Sequence, residues 1–525
     1  MRRNILFTAL LALTNIVSAQ QLPSTIDVQH YRFAITLTDA TNVIKGEATV
    51  TAKATNAIPA INLDLIKKRA DGKGMTVLAV TENGKALKFS QDSSKLTINT
   101  QADAGSVHNY KIAYEGIPAD GLIISTNRYN HRTFFGDNWA TRAKNWLPCV
   151  DDPADKASVE FIVTAPAKYT VVANGLKVSE NVSGDNKVSY WKETALLPTK
   201  VMVIGVAEFA VEQSGQPDGI PISTYVFPED KEVGFKSYAV AAKIVPWFSK
   251  RIGAFPYKKL ANVQSKTIFG GMENAGAIFY FEQSVKDRGI EALMAHEIAH
   301  QWFGDAISEK NWWHVWLSEG FATYMTNLYI EGQYGTDSLN KRLDEDRKAI
   351  FGFEKKYKAP VVDSAFHGQM MELLNTNAYQ KGGWVLHMLR RKIGDDAFWK
   401  GIAAYYKKYN GGNATTSDLC NIMEKASGQQ LKQFFTQWLR TSGHPQLDIR
   451  WQYSPSAKQT TLTVKQLQPE QYKFNLEYSV DGKTYQKEIN DGMVVITVPS
   501  SATPDLKIDP NINLLAQYNV TQEKD

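Results

Sequence analysis

His296, Glu297 and His300 stand in an H-E-x-x-H arrangement within Ala292-Leu-Met-Ala-His-Glu-Ile-Ala-His-Gln-Trp-Phe303. Residues four apart on a helix share one face, one turn above the other. Two imidazoles so placed reach a single metal ion, and the carboxylate between them is free to act as a base beside it. A catalytic zinc takes three protein ligands and leaves a fourth position for water. Glu319, in Trp316-Leu-Ser-Glu-Gly-Phe-Ala322, offers the third ligand, with eighteen residues between it and His300. That length suits a loop followed by a second helix packing back on the first. The chemistry is metal-assisted hydrolysis of an amide, with Glu297 taking a proton from water and passing it to the leaving amine. The tetrahedral oxyanion formed on attack needs a second stabiliser. Read alone, the motif also fits a buried amphipathic helix with two satisfied histidines and a surface glutamate; Glu319 and the flanking segments argue against that.

Three further stretches carry residues of chemical interest. In Gly270-Gly-Met-Glu-Asn274 two glycines let backbone approach a ligand closely, and Glu273 sets a carboxylate beside that backbone. The plain alternative is a tight turn at a strand edge with a solvated glutamate. Tyr379 opens the helical stretch Asn377–Leu389, where it also reads as an ordinary half-buried residue. Phe135–Pro153 interrupts a β pattern with aromatic, charged and amide groups, as binding loops on β scaffolds do.

These segments need a multidomain α+β framework, since 525 residues exceed what one hydrophobic core supports. Residues 1–19 read as a secretory signal peptide, with Arg2 and Arg3, an apolar run from Ile5 to Leu13 and Val17-Ser18-Ala19 as the cleavage site. The expected location is therefore exported, periplasmic or secreted. Period-two alternation marks an all-β domain over 20–210. Helical periodicity dominates a catalytic domain over 211–441, and alternation returns in a β-sandwich over 442–525. Within the catalytic domain Lys236–Lys250 reads as one helix disturbed near Pro246, Gly428 as a helix stop, and in the sandwich Asp481-Gly482 as a hairpin turn.

Hydrophobic and charged contents of 43% and 22% are those of an ordinary globular protein. The net charge of +5 is too weak to argue for nucleic acid or an anionic membrane, and no apolar run is long enough to span a bilayer. Cys149 and Cys420 are expected to be buried and unpaired.

Gly270-Gly-Met-Glu-Asn274 resembles the G-x-M-E-N exopeptidase motif of the zinc aminopeptidases typified by aminopeptidase N and leukotriene hydrolase, a gluzincin family. His296, Glu297, His300 and Glu319 match its H-E-x-x-H-(eighteen)-E site in order and spacing, and Ala378-Tyr-Gln-Lys-Gly382 is similar to its Y-x-K-G segment. The likeness runs from about residue 25 to the C-terminus. It implies an N-terminal β-saddle domain, a thermolysin-like catalytic domain and a C-terminal β-sandwich. It also implies one Zn²⁺ per chain on His296, His300 and Glu319, with Glu297 as general base and Tyr379 donating to the oxyanion.

Glu273 then anchors the substrate's α-ammonium, while Gly270, Gly271, Met272 and Asn274 complete the substrate-binding segment. An ammonium held by Glu273 at a set distance from zinc lets only the first peptide bond reach the water. The implied function is an exported aminopeptidase acting on peptides with a free N-terminus. The alternatives are a zinc endopeptidase or peptidase with relaxed amine dependence, and a non-catalytic peptide-binding protein. All four residues of the zinc and base set are present, which argues against the last.

Two departures stand out. Many relatives carry a Glu or Gln as a further amine ligand where this chain has Trp139; Asp137 or Asn138 would be the substitutes. Larger relatives also continue into a helical domain that roofs the site, so a more open site, or one closed by a partner subunit, is expected here.

Overall fold

Alternating residues along Ile26–Thr36 bury one face of a strand, but the buried positions change parity partway along it. A register shift against Ile44–Ala54 between Val28 and His30 accounts for the change, moving the core face from Ile26 and Val28 to Tyr31, Phe33 and Ile35. This strand lies within an eight-stranded sheet between Ile44–Ala54 and Lys156–Pro166, the latter pairing in parallel. A four-stranded sheet built on Arg132–Gly136 and Ile204–Ala207 and a three-stranded sheet on Ile58–Asp64 and Lys95–Ala102 complete the N-terminal β domain. The computed structural model describes residues 25–523, so the expected signal peptide lies outside the described residues.

A five-stranded sheet opens the central region, in the order Ala210–Gly215, Ile222–Val226, Leu260–Ser265, Ala277–Phe281 and Gly271–Met272. Its first two strands fall between the regions where β and helical patterns were evident in the sequence. Gly271–Met272 is an edge strand: Gly271 and Met272 pair with Tyr280 and Phe279, and among the described residues no strand pairs with its other side.

The helices are α1 (Lys231–Tyr238), α2 (Ala241–Ile252), α3 (Ile290–His300), α4 (Trp316–Tyr334), α5 (Thr336–Glu354), α6 (Gly382–Ile393), α7 (Asp395–Tyr409), α8 (Thr416–Ser427) and α9 (Lys432–Arg440). The single helix expected over Lys236–Lys250 is instead two, broken at Ala239–Val240, with Pro246 inside α2. Pro246 is the sixth residue of α2, so its missing N–H leaves the Ala242 carbonyl without its helical partner. Gly428 caps α8 in the left-handed region at φ 69°, where a Cβ is unfavourable.

The C-terminal region packs a four-stranded sheet against a three-stranded one, and Asp481 and Gly482 turn a hairpin with φ 49° and 77°. Cys149 and Cys420 are buried and free. One hydrophobic core runs through all three regions, and a smaller cluster around Phe135, Trp139, Met272 and Phe279 lies beside the zinc-type motif.

Candidate functional site

Helix α3 presents His296 and His300 on one face, with their Nε2 atoms 3.1 Å apart. Helix α4 packs on α3 and brings Glu319 from its first turn, so that Oε2 lies 3.4 Å from His296 Nε2 and 3.2 Å from His300 Nε2. Ligands bound at about 2.0–2.1 Å in a tetrahedron stand about 3.3 Å apart, so these three atoms have the spacing of one face of a tetrahedral zinc site. The donor chemistry agrees with the spacing. His300 Nδ1 lies 3.0 Å from the Phe303 carbonyl, which can only accept, so the hydrogen sits on Nδ1 and Nε2 keeps its lone pair. Glu319 Oε2 is buried and receives no well-directed hydrogen bond despite its closeness to both imidazoles. Among the described residues this is the set of His, Cys, Asp or Glu side chains grouped closely enough to hold a metal.

The electrostatics favour a cation at this point. Burial alone would raise the Glu319 carboxyl, but the two imidazoles beside it, His300 above all, hold it well below the usual range. Burial lowers the His300 imidazole, yet Glu319, with Glu273 and Glu297 behind it, shifts it upward overall. Two further buried carboxylates, Glu273 and Glu297, thus stand beside the ligand set.

Glu297 points to the same cavity of about 270 Å³, which Trp139, Phe269, Gly271, Glu273, Glu319 and Tyr379 also line. Burial pushes its carboxyl well above the usual range, and the charges of Glu273 and Glu319 add to this against His300. Its side chain lies directly on Gly271: a Cβ there would stand 2.3 Å from Glu297 Oε1. Gly271→Ala should therefore displace Glu297 while leaving the metal ligands in place. The expected result is a fall in kcat of roughly 10²-fold, the order expected for a misplaced catalytic group, with metal content unchanged. Activity within a few-fold of wild type would refute this.

Tyr379 sits on a single π-helical turn, Asn377–Lys381, which runs straight into α6. Its ring stacks on His296 at 5.9 Å and 11°. Burial and the surrounding carboxylates raise its phenol well above the ordinary value, so it stays a donor. Two features hold the turn. Gly320 and Gly382 meet so closely that a Cβ on Gly320 would lie 2.9 Å from Gly382 Cα. Fully buried Lys381 donates to Glu354 Oε1 at 2.6 Å and to the Gly443 carbonyl at 2.7 Å. Neither contact was evident from periodicity, because each joins residues far apart in sequence.

Glu273 is 5% exposed, lines the cavity and has a buried oxygen, Oε1, with no hydrogen-bond partner. Gly270, Gly271 and Met272 line the cavity with it. Asn274 differs from expectation: it is fully buried outside the cavity wall, its carbonyl accepting from Ala277 N at 2.9 Å to close a turn. Trp139 forms part of the wall, edge-on to Phe269 and Trp312.

The two residues named as substitutes at Trp139 are both engaged in the scaffold. Asp137 is taken up by Arg142 Nη2, Thr267 Oγ1 and Ile268 N, and Asn138 by the Thr199 and Met202 carbonyls and the Trp146 indole. Both are scaffold residues.

The model of the Peptidase M1 N-terminal domain matches residues 27–201, and that of the Peptidase family M1 domain matches residues 237–438. "Probable aminopeptidase 2" of Sulfurisphaera tokodaii is 28% identical over 396 residues, covering 71% of this chain and 50% of that protein. "Probable aminopeptidase 1" of the same organism is 26% identical over 491 residues, 88% of this chain and 59% of that protein. The chain thus spans about half the length of the curated relatives it matches. A crystal structure of Legionella pneumophila aminopeptidase A in complex with aspartic acid shares the fold, with a TM-score of 0.82 at 16% identity over 94% of this chain and 60% of that one. With the two domain models matched in order and the second enclosing the His296, His300 and Glu319 cluster, the chain belongs to peptidase family M1, the gluzincins of aminopeptidase N type.

Proposed function

We propose that this protein is an exported, zinc-dependent aminopeptidase that removes residues one at a time from the free N-terminus of peptides. One observation carries the reading: a buried carboxylate with an unpartnered oxygen, Glu273, shares a cavity with a three-atom metal face and a second buried carboxylate. Such a group needs a cation, and a peptide's α-ammonium supplies one.

His296, His300 and Glu319 are the residues that would hold Zn²⁺, which when bound polarises the scissile carbonyl and lowers the pKa of a water to about 7. Glu297, its carboxyl raised by burial, accepts the proton of the attacking water and hands it to the leaving amine. Tyr379 donates its phenolic hydrogen to the oxyanion, a kind of contact worth ~10²–10³ in rate. The open edge at Gly270–Gly271 takes the substrate main chain as an added strand. Glu273 fixes the ammonium, so the first peptide bond is the one presented to Glu297. The β-saddle and thermolysin-like descriptions of the two larger domains belong to this reading, as does the absence of nucleic-acid and membrane partners.

Aminoacyl anilides with a free N-terminus, compared with the same compounds N-acetylated, test it. Cleavage confined to the unblocked series is expected. Equal cleavage of both would favour a peptidase with relaxed amine dependence, to which Trp139 lends weight because its indole gives the ammonium no acceptor.

A further inference from the structure

Gln301 follows the second histidine directly and is fully buried at the end of α3. Its carboxamide makes three bonds. Oε1 accepts from Gly276 N at 2.7 Å, while Nε2 donates to the Glu273 carbonyl at 2.6 Å and to Asp305 Oδ2 at 3.0 Å. The first two grip both ends of the loop 273–276; the third ties that grip to the turn after α3. The far side of the loop is held as well, since the Gly276 carbonyl accepts from Lys259 Nζ at 2.6 Å and Ala261 N at 3.0 Å. The turn itself is braced from the N-terminal domain. Lys156 Nζ donates to the Asp305 and Ala306 carbonyls at 2.9 Å each, and buried Lys200 pairs with buried Glu309 at 2.7 Å.

We propose that Gln301 is a positioning residue that fixes the Glu273 carboxylate relative to the metal ligands, and so sets which peptide bond is cut. The inference rests on the reading of Glu273 as the ammonium anchor. Its physical basis is that His300 and Gln301 are consecutive on one helix, so the metal ligand and the anchor loop are referred to the same rigid backbone. All the polar capacity of the carboxamide that the loop needs is used: one acceptor for an N–H and one donor for a carbonyl. A shift of about 1 Å in such a frame costs on the order of 10²-fold. A purely structural glutamine, satisfying a buried helix end, would instead affect all ligands of the site equally.

The test uses the zinc-loaded full-length protein and two variants, Gln301→Met, which keeps the volume and removes the three bonds, and Gln301→Asn, which keeps the amide one methylene short. Inhibition constants are measured for leucine hydroxamate and N-acetyl-leucine hydroxamate, alongside zinc content, kcat and KM. Wild type should prefer the unblocked compound by at least ~30-fold, the scale of a charge-assisted contact. In the variants that preference should fall by about 10-fold and KM should rise, with zinc still at one per chain. A preference within about 2-fold of wild type in both variants, or equal weakening of both inhibitors, overturns the proposal. Loss of zinc from both variants overturns it too, because Gln301 would then serve the metal ligands and not the anchor. A wild type with no preference at all removes the ammonium anchor itself, a distinct failure that brings the proposal down with it.

Discussion

Glu297→Gln should abolish turnover while leaving one zinc per chain. The substitution keeps the shape of a side chain that fits against Gly271 with no room for a methyl group. It removes the oxygen proposed to accept the water's proton, and general-base contributions run at 10²–10⁴-fold, so a fall in kcat of about 10³-fold is expected. KM should change little, since Glu273, the proposed ammonium contact, is untouched. Stability should not fall, because Glu297 is a buried carboxylate beside Glu273 and Glu319, and neutralising it relieves like-charge repulsion. Kinetics, metal analysis and a thermal melt on one preparation decide the matter. A Glu297→Gln variant near wild-type rate would end the general-base assignment, and one without zinc would make Glu297 a structural support of the metal site.

His300→Ala should fail differently. His300 is 1% exposed, contributes one of the three converging atoms and lies nearer Glu319 than His296 does. Losing even an outer-shell partner weakens metal sites by ~10–100-fold, so loss of this ligand should exceed that and leave the chain without stoichiometric zinc. Activity should vanish with the metal, and excess zinc should not restore it. The melting temperature should drop, because Glu319, Glu273 and Glu297 remain buried with neither imidazolium nor metal between them. Full zinc occupancy in His300→Ala would show that the metal is held elsewhere.

Some of this was legible in the sequence for definite physical reasons. The i, i+4 spacing of His296 and His300 carries its own geometry, since helix pitch alone brings their Nε2 atoms together. Glu319 followed from its spacing and the resemblance. The contacts that tune the site were not legible. Gly271 against Glu297 depends on how an edge strand meets a helix, and Gln301 acts through atoms 25 to 28 residues away. Lys156 reaches Asp305 and Ala306 across 149 and 150 residues. Asp137 and Asn138 looked available as amine ligands because a sequence does not show which polar groups the scaffold has already consumed. The break between α1 and α2 was misplaced because Pro246 is the visible breaker, whereas the chain carries it inside α2 and breaks at Ala239–Val240.

The two-residue strand Gly271–Met272 has a bearing on the protein's behaviour at high concentration. An unpaired sheet margin normally invites another molecule's backbone to zip onto it, the first step towards fibrils. Here that margin is only two residues long and lines a cavity floored by acids. A neighbouring folded sheet finds too little backbone there to pair with. The edge proposed to take the substrate's main chain is thereby kept from cross-linking copies of the protein.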